Sequence, residues 1–338
     1  MKTLTLTRPD DLHCHLRWLD DDLLNKVLPW TARHFARAIV MPNLNDAMVS
    51  TAEHANEYRH SIDFKLSQIQ TQSFQPLMTI KVTPTTTPGI ILEAKKANVF
   101  AAKFYPRGVT TNSAGGIEDF EDLKDIYACL QEIGMPALFH CEMPNSHPMI
   151  AEDDFIPILK WIMLNFPRLK LVVEHVTSKI MLDYILEVFP ENVGLSLTAH
   201  HLVLTQEDVY GNPWNFCKPI AKTAEDRNAL IAAAISGSPR IWFGSDSAPH
   251  PIAKKISQKT AAGIWTAPVA LSILASVFEK ANALDRLEYF TSGAGANWYG
   301  LPKNEGQITL LKQSWHVPHE ISGIVPFMAG KQLDWIVQ

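Results

Sequence analysis

Lys170-Leu171-Val172-Val173-Glu174-His175 is a short apolar run that ends in polar residues. Residues 178–189 follow with helical spacing. A second short run comes next, Val193-Gly194-Leu195-Ser196-Leu197, ending at Thr198-Ala199-His200-His201. Two largely apolar strands joined through a helix imply a parallel sheet covered on both faces, since the crossover helix must lie over the strands it connects. The same unit recurs in both directions. Upstream are Ala36-Arg37-Ala38-Ile39-Val40, ending at Met41-Pro42-Asn43; Leu77 to Val82, ending at Thr83-Pro84; Val99 to Ala102, ending at Lys103; and Ala137-Leu138-Phe139, ending at His140. The first run leads into Asp11-Leu12-His13-Cys14-His15, and the last, Arg240-Ile241-Trp242-Phe243, ends at Gly244-Ser245-Asp246. Between them, residues 118–133 put Phe120, Leu123, Ile126, Tyr127 and Leu130 on one helical face, and 153–165 behave similarly.

Eight such units predict an α/β fold closed into a (β/α)8 TIM-type barrel. An open doubly wound sheet would be expected to carry a G-x-G-x-x-G turn, and the sequence has none. No low-complexity linker divides the 338 residues. They read as one domain, with a barrel core over about 10–300 and small terminal additions, 1–8 and 305–338, packed on it. A hydrophobic share of 46% and a charged share of 19% suit a large core. A net charge of −5 without a basic block gives no reason to expect nucleic-acid or membrane binding. The N-terminal Met1-Lys2-Thr3-Leu4-Thr5-Leu6 alternates rather than forming the apolar core of a secretory signal. No apolar stretch reaches the roughly 18 residues of a membrane span. Four cysteines without a Cys-x-x-Cys pair read as reduced thiols of a cytoplasmic protein.

In this fold, function sits at the C-terminal ends of the strands. Here those ends carry His13, His15, Lys103, His140, His175 and Asp246. Residues two apart in a strand face one side, so His13 and His15 can reach one metal while Cys14 points away. Imidazole nitrogens suit zinc, and a catalytic zinc leaves one position open for water. Lys103 ends an apolar strand, a costly place for an ammonium. It either snorkels or pairs with a carboxylate, or it reacts with carbon dioxide to give an anionic carbamate able to bridge two cations. Burial favours the neutral amine which that reaction needs. Asp246 can cap a helix or touch a metal and take a proton from its water; His250, four residues on, favours a ligand-facing loop. The neighbouring Arg17 can grip a carboxylate bidentately, or pair with Asp20, Asp21 or Asp22 at the surface. His200 and His201 are further candidates for lining the site.

Two segments carry a family resemblance: Asp11-Leu12-His13-Cys14-His15-Leu16-Arg17, and Gly244-Ser245-Asp246-Ser247-Ala248-Pro249-His250 with Lys255 beyond. Met41-Pro42-Asn43, Lys103-Phe104-Tyr105-Pro106, His140-Cys141-Glu142 and Glu174-His175 add to it. Together, over about residues 10–300, they resemble the dihydroorotases of the metal-dependent amidohydrolase superfamily, in their shorter bacterial form. The chain departs from the family pattern at Cys14, Trp18 and Lys218, and its segment Ser257 to Gly263 lacks the cysteines of some relatives.

The resemblance implies two Zn2+ per subunit, one held by His13, His15, N6-carboxylated Lys103 and Asp246, the other by Lys103, His140 and His175. It further implies that His15, Arg17, Asn43, His140, Lys218, His250 and Ala262 contact substrate, Lys218 and Ala262 through backbone, and that Thr110 and Thr111 belong to a mobile lid. The implied reaction is the reversible cyclisation of N-carbamoyl-L-aspartate to L-dihydroorotate in pyrimidine biosynthesis. Metal-activated hydroxide attacks the ring amide carbonyl, and Asp246 serves as general base and acid. A homodimer is implied as well. A hydantoinase or dihydropyrimidinase would share the metal site but not need the carboxylate grip of Arg17.

Overall fold

The computed structural model describes residues 2–44, 49–71, 73–109 and 115–338. Its strands are β1 (Thr3–Thr7), β2 (Asp10–Cys14), β3 (Arg37–Val40), β4 (Gln75–Lys81), β5 (Ala101–Phe104), β6 (Ala137–Phe139), β7 (Leu171–Val173), β8 (Val193–Leu197), β9 (Ile241–Phe243), β10 (Gln307–His316) and β11 (Gln332–Val337). Helices α1 (Asp21–His34), α2 (Ala52–Leu66), α3 (Pro88–Lys96), α4 (Lys124–Ile133), α5 (Ile156–Asn165), α6 (Lys179–Val188) and α7 (Ala224–Ala234) each follow one barrel strand. After β9 come α8 (Ile252–Lys255), α9 (Ala270–Lys280) and α10 (Ala294–Tyr299).

Strands β2 to β9 pair in sequence order, all parallel. The seam between last and first strand closes just above β2 and β9. The Asp246 amide donates to the His13 carbonyl at 2.9 Å, and the His15 amide donates to the Ser247 carbonyl at 3.0 Å. Two cores result. One lies between strands and outer helices and includes Cys14, Leu16, Phe104 and Phe139. The other fills the barrel interior with Leu12, Ile39, Leu77, Ala101, Leu138, Val172 and Trp242, and α10 plugs its lower end through Ala294 and Tyr299. Functional groups can therefore gather only at the upper end.

The terminal segments form a separate antiparallel sheet, ordered β1-β10-β11. It is tied to α9 by Glu279, which takes Lys2 at 3.0 Å, Lys312 at 2.6 Å and the Trp335 indole N–H at 3.0 Å.

The fold departs from the sequence reading at several ends. β4 starts two residues earlier, at Gln75, and Lys103 lies inside β5 rather than after it. The 118–133 helix begins with a 3-10 turn at Glu121, whose amide bonds the Asp119 carboxylate; α5 likewise follows a 3-10 turn, at Asp153–Phe155.

Trp242 fits inside the barrel because Gly194, on the adjacent strand, has no side chain; a Cβ there would run into the indole ring. Gly194→Ala should destabilise the fold by about 1–3 kcal/mol, read as a lowered urea midpoint with unchanged slope.

Candidate active site

β2 ends at Cys14, and its pairing with β3 shifts register between Asp11 and Cys14. Leu12 thus packs in the interior core while His13 and His15 both turn to the mouth and Cys14 faces the helices. The expected sharing of one face holds for the two imidazoles, although His15 lies just beyond the strand. His13 Nε2 is 3.4 Å and His15 Nε2 3.1 Å from Asp246 Oδ1. Asp246 reaches them because Asp11 accepts the Ser245 amide at 2.8 Å on one oxygen and the Ser245 hydroxyl at 2.6 Å on the other. That contact fixes the turn after β9. Asp246 and His175 have φ of 42° and 43°, left-handed values that non-glycine residues adopt at a cost and that recur at functional sites.

After β7, the turn at His175 sends both Glu174 and His175 into the mouth. Glu174 Oε2 lies 2.8 Å from His13 Nδ1 and accepts the Ser196 hydroxyl at 2.6 Å. Ser196 Oγ in turn accepts the His175 amide at 2.8 Å. His140, after β6, directs Nε2 at Glu142 Oε2, 2.6 Å away, and Nδ1 at His175 Nε2, 3.2 Å away. All of these side chains are buried.

These contacts set the proton positions. With its Nδ1 proton on Glu174, His13 presents an Nε2 lone pair to a carboxylate oxygen. With its Nε2 proton on Glu142, His140 presents an Nδ1 lone pair to His175. Lone pair against carboxylate at 3.4 Å is repulsive unless a cation lies between the donors. The mouth also holds buried polar atoms without hydrogen-bond partners: His15 Nδ1, Lys103 Nζ, Glu174 Oε1 and His175 Nδ1. Each such atom costs about 1–3 kcal/mol, a cost that a bound cation and its ligands would offset. His13, His15 and Asp246 offer donor atoms that all lie within 4.8 Å of one another. On the chemistry of its donors, the mouth fits a metal ion.

Electrostatics agree. Burial pushes the Asp246 carboxyl up, but the hydrogen bond from His15 leads the contacts that outweigh it, and the carboxyl lies well below the usual carboxylate range. Burial lowers His15 to about 4 and holds His175 well below its ordinary value, so both rings are neutral and free to ligate. Burial also lowers Lys103, opposed by Glu174 and Asp246. Its Nζ lies 5.0 Å over the Tyr105 ring.

The recess is lined by His13, His15, Arg17, Asn43, Tyr105, His140, His175, Lys218, Asp246, Ala248, Ala262 and Gly263. Arg17 is not at the surface, where pairing with the nearby aspartates would place it. It is buried; its Nε donates to the Pro249 carbonyl at 3.0 Å, and its Nη2 lies 3.1 Å from His250 Nε2. His250 also lies 3.0 Å from the Ala262 carbonyl; burial first, then Arg17, lowers it to about 2, so its ring is neutral. Thr110 and Thr111, the expected lid residues, lie outside the described residues. His200 and His201 do not line the recess. The sequence alone gives no role to Glu174, Ser196, Glu142 or Asp11. An acid within two residues of an expected ligand is the available signal for Glu174 and Glu142; Ser196 and Asp11 act across strands and leave none.

No family model matches the chain. A dihydroorotase of Pseudoalteromonas atlantica is 41% identical to it over 349 aligned positions, covering all of both chains. The crystal structure of Saccharomyces cerevisiae dihydroorotase in complex with 5-fluoroorotic acid matches with a TM-score of 0.91 and 34% identity, over 100% of this chain and 99% of that one. The L-hydantoinase of Arthrobacter aurescens matches with a TM-score of 0.84 at 16% identity, over 99% of this chain and 83% of that one, a likeness of fold alone.

Glu174 sets the tautomer of His13. Glu174→Gln should weaken Zn2+ binding about 10–100-fold, measured by competition with a chromophoric chelator.

Proposed function

The chain belongs to the dihydroorotase family, and on that premise we propose how the residues at its barrel mouth carry the reaction. It is a cyclic amidohydrolase, interconverting L-dihydroorotate and N-carbamoyl-L-aspartate. Its family is metal-dependent, and its mouth carries candidate ligands. We assign two Zn2+ per subunit, one to His13, His15, Lys103 and Asp246, the other to Lys103, His140 and His175. Lys103 would serve both as its N6-carbamate: the amine adds to carbon dioxide and loses a proton. Its buried, unpartnered Nζ supports that assignment. When bound, the cations would polarise the ring amide carbonyl and acidify the attacking water.

The protein's own groups do the rest. Asp246, an ionised carboxylate, takes the proton of the attacking water. The water oxygen bonds to the carbonyl carbon, the ring C–N bond breaks, and Asp246 returns the proton to the departing nitrogen. Ring closure runs the same steps backwards and releases water. Arg17, Asn43 and His250 hold the substrate carboxylate, and His15 and His140 border the reacting end. Lys218 and Ala262 face the ring through backbone. The substrate choice is carried by one observation: a guanidinium buried in the recess wall beside a neutral imidazole. Such a group demands an anionic partner, which a neutral hydantoin does not supply. We further read residues 1–338 as one domain of a cytoplasmic homodimer. The four free, buried cysteines accord with a reducing compartment. Among the described residues, no helix is long and apolar enough to cross a membrane.

Lys255 holds the ring-facing wall. Its buried Nζ donates to the carbonyls of Phe216 (3.0 Å), Ala261 (3.1 Å) and Gly263 (2.7 Å). Lys255→Met should raise KM about tenfold, on the scale of one lost charged hydrogen bond, with a smaller change in kcat.

The deciding experiment follows dihydroorotate loss in the ultraviolet with zinc-loaded protein. Wild type should turn over. Asp246→Asn should be inactive while folded. Arg17→Met should keep its metals and lose about 10–100-fold in kcat/KM, the worth of a charged hydrogen bond. Undiminished turnover in Arg17→Met would remove the carboxylate assignment and favour a hydantoinase.

A further inference from the structure

Beyond the mouth, the described residues contain one other buried group of metal-ligating side chains: His200 and His201, after β8, and Cys217. All three are essentially inaccessible, at 0%, 2% and 1% exposure. Each offers one donor atom, and these atoms lie within 4.8 Å of one another. Cys217 Sγ and His201 Nε2 are 3.4 Å apart. Nitrogen and sulfur bound tetrahedrally to one zinc, at Zn–N of about 2.0–2.1 Å and Zn–S of about 2.3 Å, would stand about 3.6 Å apart.

A second observation points to a ligand. Neither ring nitrogen of His200 has a hydrogen-bond partner among the described residues, although both are buried. A hydrogen-bonded cluster explains the other two residues without a cation. Cys217 Sγ lies 3.3 Å and His201 Nε2 3.1 Å from the Pro219 carbonyl. It does not explain His200, whose ring sits 4.2 Å from that of His201 and 6.2 Å from that of Phe327. His201 is also held from behind, with Nδ1 2.9 Å from Thr198 Oγ1. Without an ion, Nε2 donates to the Pro219 carbonyl. The Thr198 hydroxyl can either donate to Nδ1 or accept its proton, so on ion binding the ring proton can move to Nδ1 and leave the Nε2 lone pair for the cation. An oxygen partner behind the ring is the usual support of a histidine ligand.

We propose that His200, His201 and Cys217 form a buried cation site, separate from the barrel mouth, for a thiophilic divalent ion of the zinc type. Two imidazoles and a thiolate are donors that zinc accepts and that magnesium and calcium do not. On binding, the Cys217 S–H bond breaks, its proton leaves to solvent, and a sulfur–metal bond forms. Both imidazoles bind neutral, so one proton is released per ion. The ion fastens the segment through Cys217 and Pro219, which carries Lys218 to the recess wall, onto the end of β8.

Cobalt tests this without reference to catalysis. Protein produced in zinc-depleted, Co2+-supplemented medium should show a near-ultraviolet thiolate-to-cobalt charge-transfer band. The mouth ligands, all nitrogen and oxygen donors, give no such band. The band should correspond to about one ion per chain, vanish in Cys217→Ala, and persist in Cys14→Ala and Cys141→Ala, whose thiols flank mouth ligands in sequence. His200→Phe, which keeps the thiol, should bind Co2+ at this site at least about tenfold more weakly, the lower bound for a lost supporting contact. No charge-transfer band in wild type overturns the proposal, as does a band that survives Cys217→Ala or is unaltered in His200→Phe. If Cys217→Ala fails to fold, the wild-type spectrum and His200→Phe still decide.

Discussion

Asp11 accepts the backbone amide and the hydroxyl of Ser245 on its two carboxylate oxygens, and this contact joins the last barrel strand to the first. The metal-ligating potential of the mouth depends on that seam. His13 and His15 come from one side of it and Asp246 from the other, some 230 residues later in the chain, and no hydrogen bond within either segment brings them together. Asp11 is itself fully buried, and burial raises its carboxyl to about 6 against the pull of the Ser245 bonds. A buried acid at a strand seam is a costly fastener. It is retained where a turn has to be aimed, and the turn it aims carries a left-handed Asp246.

The mouth concentrates cost in the same way. Below it the barrel is filled by Leu12, Ile39, Leu138, Val172 and Trp242, with α10 closing the lower end. Above that floor, carboxylates, imidazoles and an amine face one another out of reach of bulk water. Low polarity strengthens every charge interaction there. It also explains the division between the acids. Glu174 and Glu142 each commit one oxygen to an imidazole proton, at 2.8 and 2.6 Å, while Asp246 faces the imidazole nitrogens of His13 and His15. Three carboxylates around one recess thus differ through what they touch, since their intrinsic acidities are nearly alike.

Much of this is legible in the sequence, for identifiable reasons. Fully buried parallel strands are short apolar runs, so Ala137–Phe139 and Val193–Leu197 can be read to the residue. Polar residues ending such runs mark the functional face, so His140, His175 and Asp246 stand out by their position alone. The sequence reading puts Lys103 one position outside its strand, because Val99 and Phe100 are as apolar as the strand itself and hide where pairing begins. Strand alternation alone would put Glu174 and His175 on opposite faces; the φ of 43° at His175 cancels that rule, and nothing in the local sequence announces it. Partnerships across the barrel, such as Ser196 with Glu174 or Lys255 with three carbonyls, leave no local pattern at all.

Lys218 shows how an unusual residue can sit in a constrained wall. Cys217 on one side of it is buried, and so is Pro219 on the other. Phe216 is tied twice through its carbonyl, to the Gly263 amide at 3.0 Å and to Lys255 Nζ at 3.0 Å. Backbone fixed on both sides presents its amide and carbonyl whatever side chain it bears. The half-buried Lys218 side chain can therefore lead outward along its methylenes, and a charge at this position leaves the wall's geometry to its neighbours. The determinant of shape at this edge of the recess is consequently the pair Cys217 and Lys255, one residue before and far after the position that lines it.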